Sequence, residues 1–347
     1  MTKIHSHAAI ALALLVAAGR AAAATITEYS LAKYAAPLGM TAGPDGNIWF
    51  VESGGNSIDR ITPSGIVDRF PLADAQSFPQ NVVSGPDGNV YFEAPGTQKA
   101  GLVKALGNLA VVELGSSYFA GAFGPRGQLW RIALSDTVDW SDLGFLGSGV
   151  GCQMKDGFPH GFVSVTKGLH DYLWMTDDAG NAVVMVDTKY CQFSSIPLPN
   201  PSSGPKFITT GRDGAVWFAE LSGDRIGRIE PYTLDLTEFA LPLGSRPEMI
   251  VAAPDGTIWF AEHGTNKIGH MSRTGVLVEF PVPTAASGPY GIAVGPDGSV
   301  WFTEEYGGKI GHLMVHPPGD VNGDGLVNVA DVFYTINFLF AGGPEPQ

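Results

Sequence analysis

The 347-residue sequence predicts an all-β fold: a seven-bladed β-propeller of four-stranded blades closed by the N-terminal strand, with a short C-terminal calcium loop and helix. Three observations carry this expectation. One phrase built around an aromatic residue recurs seven times, each interval holds four short apolar runs parted by turn chemistry, and the two ends of the chain complete one another. Composition agrees. The 46 Gly and 25 Pro make about a fifth of the chain, turn-rich but short of a disordered composition, and 44% hydrophobic residues supply a core.

The first element is a leader. Met1 to Ala24 carries Lys3, an apolar run from Ala8 to Ala18, and small residues from Ala21 to Ala24 at a cleavage site, which is the pattern of a secretory signal peptide. The expected organisation is therefore a signal peptide over 1–24, a propeller over 25–316 and a calcium-loop tail over 317–347. The formal charge of −14 falls to about −16 once Lys3 and Arg20 leave, an acid excess that argues against a nucleic-acid partner. No later apolar stretch reaches the roughly 18 residues of a spanning helix. The mature chain is expected to be secreted or extracytoplasmic, monomeric and without a membrane span. Cys152 and Cys191 are the only cysteines, and in an oxidising compartment they are expected to pair, with two buried thiols as the alternative.

The repeat comes next. GPDGNIWFVE at 43–52 returns as GPDGNVYFEA at 85–94, GPRGQLWRIA at 124–133, GRDGAVWFAE at 211–220, APDGTIWFAE at 253–262 and GPDGSVWFTE at 295–304, with a weaker copy, GLHDYLWMTDD, at 168–178. The register aromatics are Trp49, Tyr91, Trp130, Trp174, Trp217, Trp259 and Trp301, spaced 42, 39, 44, 43, 42 and 42 residues apart. In the Trp259 unit, Glu248 to Ala252, Thr257 to Ala261, Ile268 to Met271 and Val276 to Val282 read as four strands. The turn Pro254-Asp255-Gly256 joins the first two. Such a sheet is apolar on both faces and requires a neighbour on each side. Gly227, Gly269 and Gly311 recur in third strands, where they leave room for a ring or mark a bulge.

Closure follows from the ends. Ile26 to Leu31 resembles a fourth-strand phrase such as Leu236 to Leu241 but has no first three strands before it, whereas the last unit stops at Pro317-Pro318 after its third strand. Pairing the two completes a ring without a long unpaired edge.

On the face where fourth strands run into the next first strands, Leu38, Gln80, His160, Lys206, Glu248 and Tyr290 stand near the starts of inner strands. Glu52, Glu93, Asp177, Glu220, Glu262 and Glu304 end or nearly end the second strands. The expectation is an acidic mouth around a polar inner ring, suited to a cation or cationic group; carboxylates that merely solvate loops are the alternative. His263 lies on the same face, and His270 and His312 in third strands are expected to be structural.

The phrases WFTE at 301–304, NKIGH at 266–270 and PHG at 159–161 resemble the virginiamycin B lyase family of seven-bladed propellers, over residues 26–315. The resemblance implies opening of a lactone carbon–oxygen bond by elimination, with Mg²⁺ acidifying the substrate and a histidine as base. The family's two functional histidines begin inner strands of adjacent blades in Pro-His-Gly or Pro-His-Ala phrases. Here those phrases read Arg246-Pro247-Glu248-Met249 and Gly288-Pro289-Tyr290-Gly291, and Gly288 stands where the family has an acidic metal-site residue. Pro159-His160-Gly161 is the surviving match, which makes His160 the candidate base, with Glu220 and Glu262 as candidate Mg²⁺ ligands. A positioned base supplies ~10²–10⁴-fold, so this reassignment decides whether the family reaction is retained.

The tail reads Asp320-Val321-Asn322-Gly323-Asp324-Gly325-Leu326-Val327-Asn328-Val329-Ala330-Asp331. Asp320, Asn322, Asp324, Asn328 and Asp331 place oxygen donors at loop positions 1, 3, 5, 9 and 12, Gly325 supplies the bend at position 6 and the Leu326 carbonyl serves position 7, a set suited to Ca²⁺. With Val332 to Phe340 as the following helix, it resembles half of a dockerin type I pair of repeats. That resemblance implies a cohesin-like partner and a polysaccharide-related setting; a calcium-stabilised tail is the alternative. Three functions remain open at this point: a propeller binding an unknown small molecule, peptide or glycan at its mouth; a Mg²⁺-dependent lyase of the streptogramin type; and an attachment module in an extracellular polysaccharide-related assembly.

Overall fold

The computed structural model describes residues 24–97, 99–105, 111–114, 120–123, 129–134, 141–145, 152–153, 162–315 and 332–333. The body of the protein is Glu28–His312; the two ends, Met1–Thr27 and Leu313–Gln347, form a second unit. Within that second unit, Val332 and Phe333 are helical and exposed. Residues 1–23 of the expected leader at 1–24, His160 and the expected calcium loop at 320–331 lie outside the described residues.

The body is an all-β propeller of four-stranded antiparallel blades. Among the described residues no helix is long and apolar enough to cross a membrane. The Trp259 blade shows the plan: Pro247–Ala252, Ile258–Glu262, Lys267–Met271 and Leu277–Pro281 pair in sequence order, close to the boundaries that the apolar runs predict. Six blades have described side chains, against the seven that the repeat predicts. The further four-stranded sheet, Ala120–Phe123, Leu129–Leu134, Ser141–Phe145 and Cys152–Gln153, is described by strand pairing alone.

The recurring phrase is a physical unit. In the Trp49 blade, Asp45 accepts hydrogen bonds from Asn47 N at 3.2 Å, Asn47 Nδ2 at 2.8 Å and Trp49 Nε1 at 2.9 Å, so the turn carboxylate docks the indole. The Tyr91 blade keeps the arrangement with a phenol, Tyr91 OH donating to Asp87 at 2.7 Å. Gly46, Gly88, Gly214, Gly256 and Gly298 close these turns at φ of +80° to +87°, where a side chain is strained. Trp49, Trp174, Trp217 and Trp301 then each pack into the next blade. Trp217 shares one buried cluster with Ile250, Ile258, Phe260 and Met271 of the Trp259 blade, which is why no blade is stable alone.

The third-strand glycines make room for a ring of their own blade. A Cβ at Gly227 would lie 2.0 Å from Phe218 Cζ, one at Gly311 2.0 Å from Phe302 Cζ, and one at Gly269 2.2 Å from Phe260 Cε2. The Trp49 blade departs from the pattern: Asp59 opposes Phe50 and is buried.

Closure joins sequence-distant residues of the body. Within the body, residues 28–30 of the first strand take the outer place in the sheet beside residues 309–312, Val300–Glu304 and Pro289–Val294. Leu31 N donates to Gly308 O at 2.9 Å, and Tyr29 stacks on Trp301 with ring centroids 5.9 Å apart. Glu28 receives Thr284 N at 2.9 Å, Thr284 Oγ1 at 2.8 Å and Lys309 Nζ at 2.6 Å. The first strand of the Trp49 blade, Pro37–Ala42, also packs against Pro289–Val294. The N-terminal segment thus supplies what the last blade lacks.

Candidate functional site at the propeller mouth

First strands break their pairing near their starts. Register shifts fall between Pro37 and Met40, Pro205 and Ile208, Pro247 and Ile250, and Pro289 and Ile292. Each bulge follows a proline, which has no N–H to donate, and it turns one side chain out of the ladder. The residues so placed are Leu38, Lys206, Glu248 and Tyr290. Neighbouring blades fix two of their backbones, Thr303 Oγ1 donating to Leu38 O at 2.8 Å and Thr176 Oγ1 to Lys206 O; within the last blade Gly291 N, beside Tyr290, donates to Thr303 Oγ1 at 2.7 Å.

Glu248 and Tyr290 form the centre of this mouth. Burial pushes the Glu248 carboxyl above the usual carboxylate range, with Glu305 adding to the shift and Lys206, His263 and Arg246 opposing it. Burial also raises the Tyr290 phenol, and the carboxylates Glu248, Glu305 and Glu93 raise it further. Tyr290 therefore stays a proton donor throughout the neutral range. Its ring meets Phe207 edge-on at 5.8 Å, giving the mouth an apolar wall. His263 Nε2 lies 3.2 Å from Glu305 Oε2, and its ring packs edge-on against Tyr306 at 5.2 Å. Gly288 is required here: it adopts φ +65°, and a Cβ would lie 2.8 Å from Tyr306 and 3.1 Å from His263 Nε2. Deeper along the inner strands a central cavity of about 390 Å³ continues between Met40, Val82, Val165, Ile208, Ile250 and Ile292.

Of the residues expected at the mouth, Lys206, Glu248, Tyr290 and His263 come together. Gln80 is exposed beside its strand and joins the ring through its backbone, accepting Gly39 N at 3.0 Å. Glu220 and Glu262 do not belong to the mouth. Both are fully buried at the ends of second strands, on the same face as Phe218 and Phe260, and turned toward the third and fourth strands of their own blades. Alternation along a strand dictates this, since a residue two places from the phenylalanine shares its side. Glu52 and Glu304 are buried likewise.

Each meets a second carboxylate and a cation there. Glu262 faces Glu279 and Lys267, Glu304 faces Glu28 and Lys309, and Glu220 faces Glu238 and Arg225. In the Trp49 blade Glu52 takes Arg69 at 3.0 Å and Asp59 is the second acid. Burial pushes Glu220, Glu304 and Asp59 up to about 7. These are structural acid pairs, and among the described residues no group of three His, Cys, Asp or Glu is arranged to hold a metal ion. Glu220 and Glu262, the candidate Mg²⁺ ligands, each already face a cation and a second carboxylate of their own blade, Arg225 with Glu238 and Lys267 with Glu279.

Glu93 is a different case. It stands two residues after its register aromatic rather than three, so it takes the inward position of Thr303, and its charge is felt at Tyr290. That offset is legible in the spacing. Glu305, Arg246 and Phe207 were missed by the sequence reading; the paired Glu304-Glu305 was a signal for Glu305 alone. His270 and His312 are structural as expected, stacked on Trp259 at 4.1 Å and on Trp301 at 3.9 Å. Cys191 is disulfide-bonded, and among the described residues no cysteine is free.

The model of the virginiamycin B lyase family matches residues 16–139 and 152–327. The chain belongs to that family. The propeller is similar to a streptogramin B lyase structure, with 28% identity over 84% of this chain and 98% of that one at a TM-score of 0.75. It is also similar to virginiamycin B lyase from Staphylococcus aureus, at 27% identity over 84% of this chain and 100% of that one, TM-score 0.74. A catalytically inactive histidine-to-alanine variant of the latter, with quinupristin, matches at 26% identity over the same shares, TM-score 0.74. Virginiamycin B lyase from Bordetella bronchiseptica is 40% identical over 58 residues, which span 16% of this chain and 19% of that relative. As a member of the family, this chain carries Glu248 and Tyr290 at the two inner-strand positions where the resemblance expects histidines.

Proposed function

We propose that this protein is an exported, seven-bladed member of the virginiamycin B lyase family that binds a ligand at its mouth. Glu248, Tyr290, Lys206 and His263 carry recognition, with Gln80 at the rim. The observation that supports this reading is the meeting of Glu248 and Tyr290 with Lys206, His263 and Glu305 beside an aromatic wall. Such a site offers an acceptor, a fixed phenol donor and an apolar surface to one molecule, as ligand pockets do. Quinupristin, the molecule held by the inactive family member, is the first probe.

A second reading, a carbon–oxygen lyase, is favoured by one feature. A buried carboxyl with a raised proton affinity next to a phenol that stays protonated is an acid–base pair. In a lactone opening by elimination, Glu248 would take the proton and the Tyr290 phenol would hydrogen-bond the departing oxygen; His160 is the other candidate base. Quinupristin incubated with the protein and with Glu248→Gln, Tyr290→Phe and His160→Ala separates the readings by calorimetry and chromatography. Saturable binding weakened in Glu248→Gln without linear product supports the binding reading. A linear product that disappears in Glu248→Gln or His160→Ala supports the lyase. Neither binding nor product removes streptogramins from consideration and leaves both readings without their substrate class.

For the tail, Asp320, Asn322, Asp324, the Leu326 carbonyl, Asn328 and Asp331 are proposed to hold Ca²⁺ and to support attachment to a cohesin-like or glycan partner. A calcium titration of Asp324→Ala should lose one site; unchanged stoichiometry refutes the loop.

A further inference from the structure

The propeller has a second concavity, on the face opposite the mouth, where first strands turn into second and third into fourth. In four blades the register tryptophan is covered there by two groups. A third-strand residue lies over it: Arg60 at 5.8 Å from Trp49, Arg228 at 5.3 Å from Trp217, His270 at 4.1 Å from Trp259 and His312 at 3.9 Å from Trp301. A ring from the fourth strand stacks beside it: Phe70 at 5.4 Å, Phe239 at 5.7 Å, Phe280 at 5.6 Å and Tyr29 at 5.9 Å.

The Trp174 blade breaks both rules. Met185 pairs with Trp174 where the other blades place arginine or histidine, and Ile196, opposite Val183, stands where they place the ring. Neither side chain is planar or charged. Trp174 itself stays buried, but outside Met185 a cleft of about 500 Å³ runs along this edge of the blade to the Pro231–Leu234 turn of the next blade. Its size is that of a small-molecule site.

The rim is built and fixed. Tyr232 projects from the far side with 76% of its surface exposed. On the near side Asp187 Oδ1 accepts Lys189 N at 2.9 Å and Tyr190 N at 3.1 Å, and Thr188 Oγ1 and N hold Asp171 O at 2.6 and 2.9 Å. The disulfide at Cys191 anchors the same hairpin. Left-handed His170, Cys191 and Leu234, at φ of 56°, 51° and 62°, lock the turns that carry these groups. A rim ordered before binding loses little entropy on binding.

We propose that this cleft binds a neutral saccharide. A pyranose ring presents a face of C–H groups and a circumference of hydroxyls. The Tyr232 ring and the Met185 thioether suit the first, and Asp187, Lys189 and His170 supply acceptors and donors for the second. Charge decides against other ligands: Asp171 and Asp187 stand with Lys189, so the cleft has neither the cation cluster that a phosphate requires nor the open aromatic cage that selects a quaternary ammonium. The site is independent of the mouth and of the function proposed for it.

The test is titration of the full chain with cellobiose, xylobiose, maltose and chitobiose, with inorganic phosphate and tetramethylammonium as charged controls, followed by calorimetry and tryptophan fluorescence. At least one neutral disaccharide should bind saturably, and Tyr232→Ala, an exposed position, should weaken it at least tenfold. Met185→Arg, which restores the cover found in other blades, should do the same, whereas Glu248→Gln at the mouth should leave it unchanged. No saturation by any disaccharide at millimolar concentration, binding indifferent to Tyr232→Ala, or binding of a charged control alone each overturns the proposal.

Discussion

Replacing Glu28 by alanine tests the closure of the ring at its weakest joint. In every blade but the last, the fourth strand is tethered to the third by a hairpin; here the outer strand comes from the other end of the chain and is held by contacts alone. Glu28 accepts three hydrogen bonds, at 2.9 and 2.8 Å from Thr284 and at 2.6 Å from Lys309, and its side chain is 15% exposed. A bond to a charged group contributes about 1.5–3 kcal/mol net, and after truncation Lys309 and Thr284 Oγ1 keep their 2.5 Å contact while water can reach the donors, so a loss of about 2–3 kcal/mol for the group as a whole is expected. The matched control is Glu279→Ala, where the same position bonds Lys267 at 2.9 Å within a tethered strand and about 1 kcal/mol is expected. Urea unfolding should be followed by tryptophan fluorescence, because Trp301 stacks on Tyr29 and reports release of the segment. Equal losses in the two variants would refute the closure argument, as would a Glu28→Ala loss within about 0.5 kcal/mol of zero.

Three further outcomes follow. Gly227→Ala, whose Cβ would sit 2.0 Å from Phe218 Cζ, should cost about 1–3 kcal/mol, and Phe218→Leu in the same chain should recover part of it; strictly additive losses in chemical denaturation would show that the ring is not what the glycine admits. Asp45→Ala should cost about 2 kcal/mol by leaving the buried Trp49 N–H without its acceptor, more than Asp255→Ala, which accepts hydrogen bonds from Thr257; the reverse order in thermal unfolding would contradict the docking of indole on the turn. Glu220, Glu304 and Asp59 are raised to about 7 in the folded state, so their contribution is complete below the unfolded values, 4.5 for the glutamates and 3.8 for Asp59, and is lost as pH rises through 7. Buried His270 and His312 are lowered, and they oppose this by losing their contribution as pH falls below 6.5. Glu220→Gln should therefore flatten the fall in stability measured between pH 5 and 8, and an unaltered slope would mean that the acid pair does not hold its proton.

The sequence by itself determined the blade. The aspartate turn, the aromatic three residues beyond its glycine, the third-strand glycine and the complementary ends are all local or periodic features, and each corresponds to a contact made within one blade or between equivalent blades. Ring closure by Glu28 to Leu31 was legible for the same reason. What only the tertiary structure decided was which carboxylates face the axis. Glu220 and Glu262 share a sequence phrase with the mouth yet lie on the phenylalanine side of their strands, while Glu93, one place earlier in its repeat, points inward. Strand alternation makes a single residue of offset reverse the face, and the bulges after Pro205, Pro247 and Pro289 that deliver Lys206, Glu248 and Tyr290 to the mouth interrupt that alternation without any composition of their own to announce it. The cleft beside Trp174 was hidden likewise. Met185 is an ordinary strand residue in sequence, and it lines a cleft only when the Pro231–Leu234 turn of the neighbouring blade is set against it.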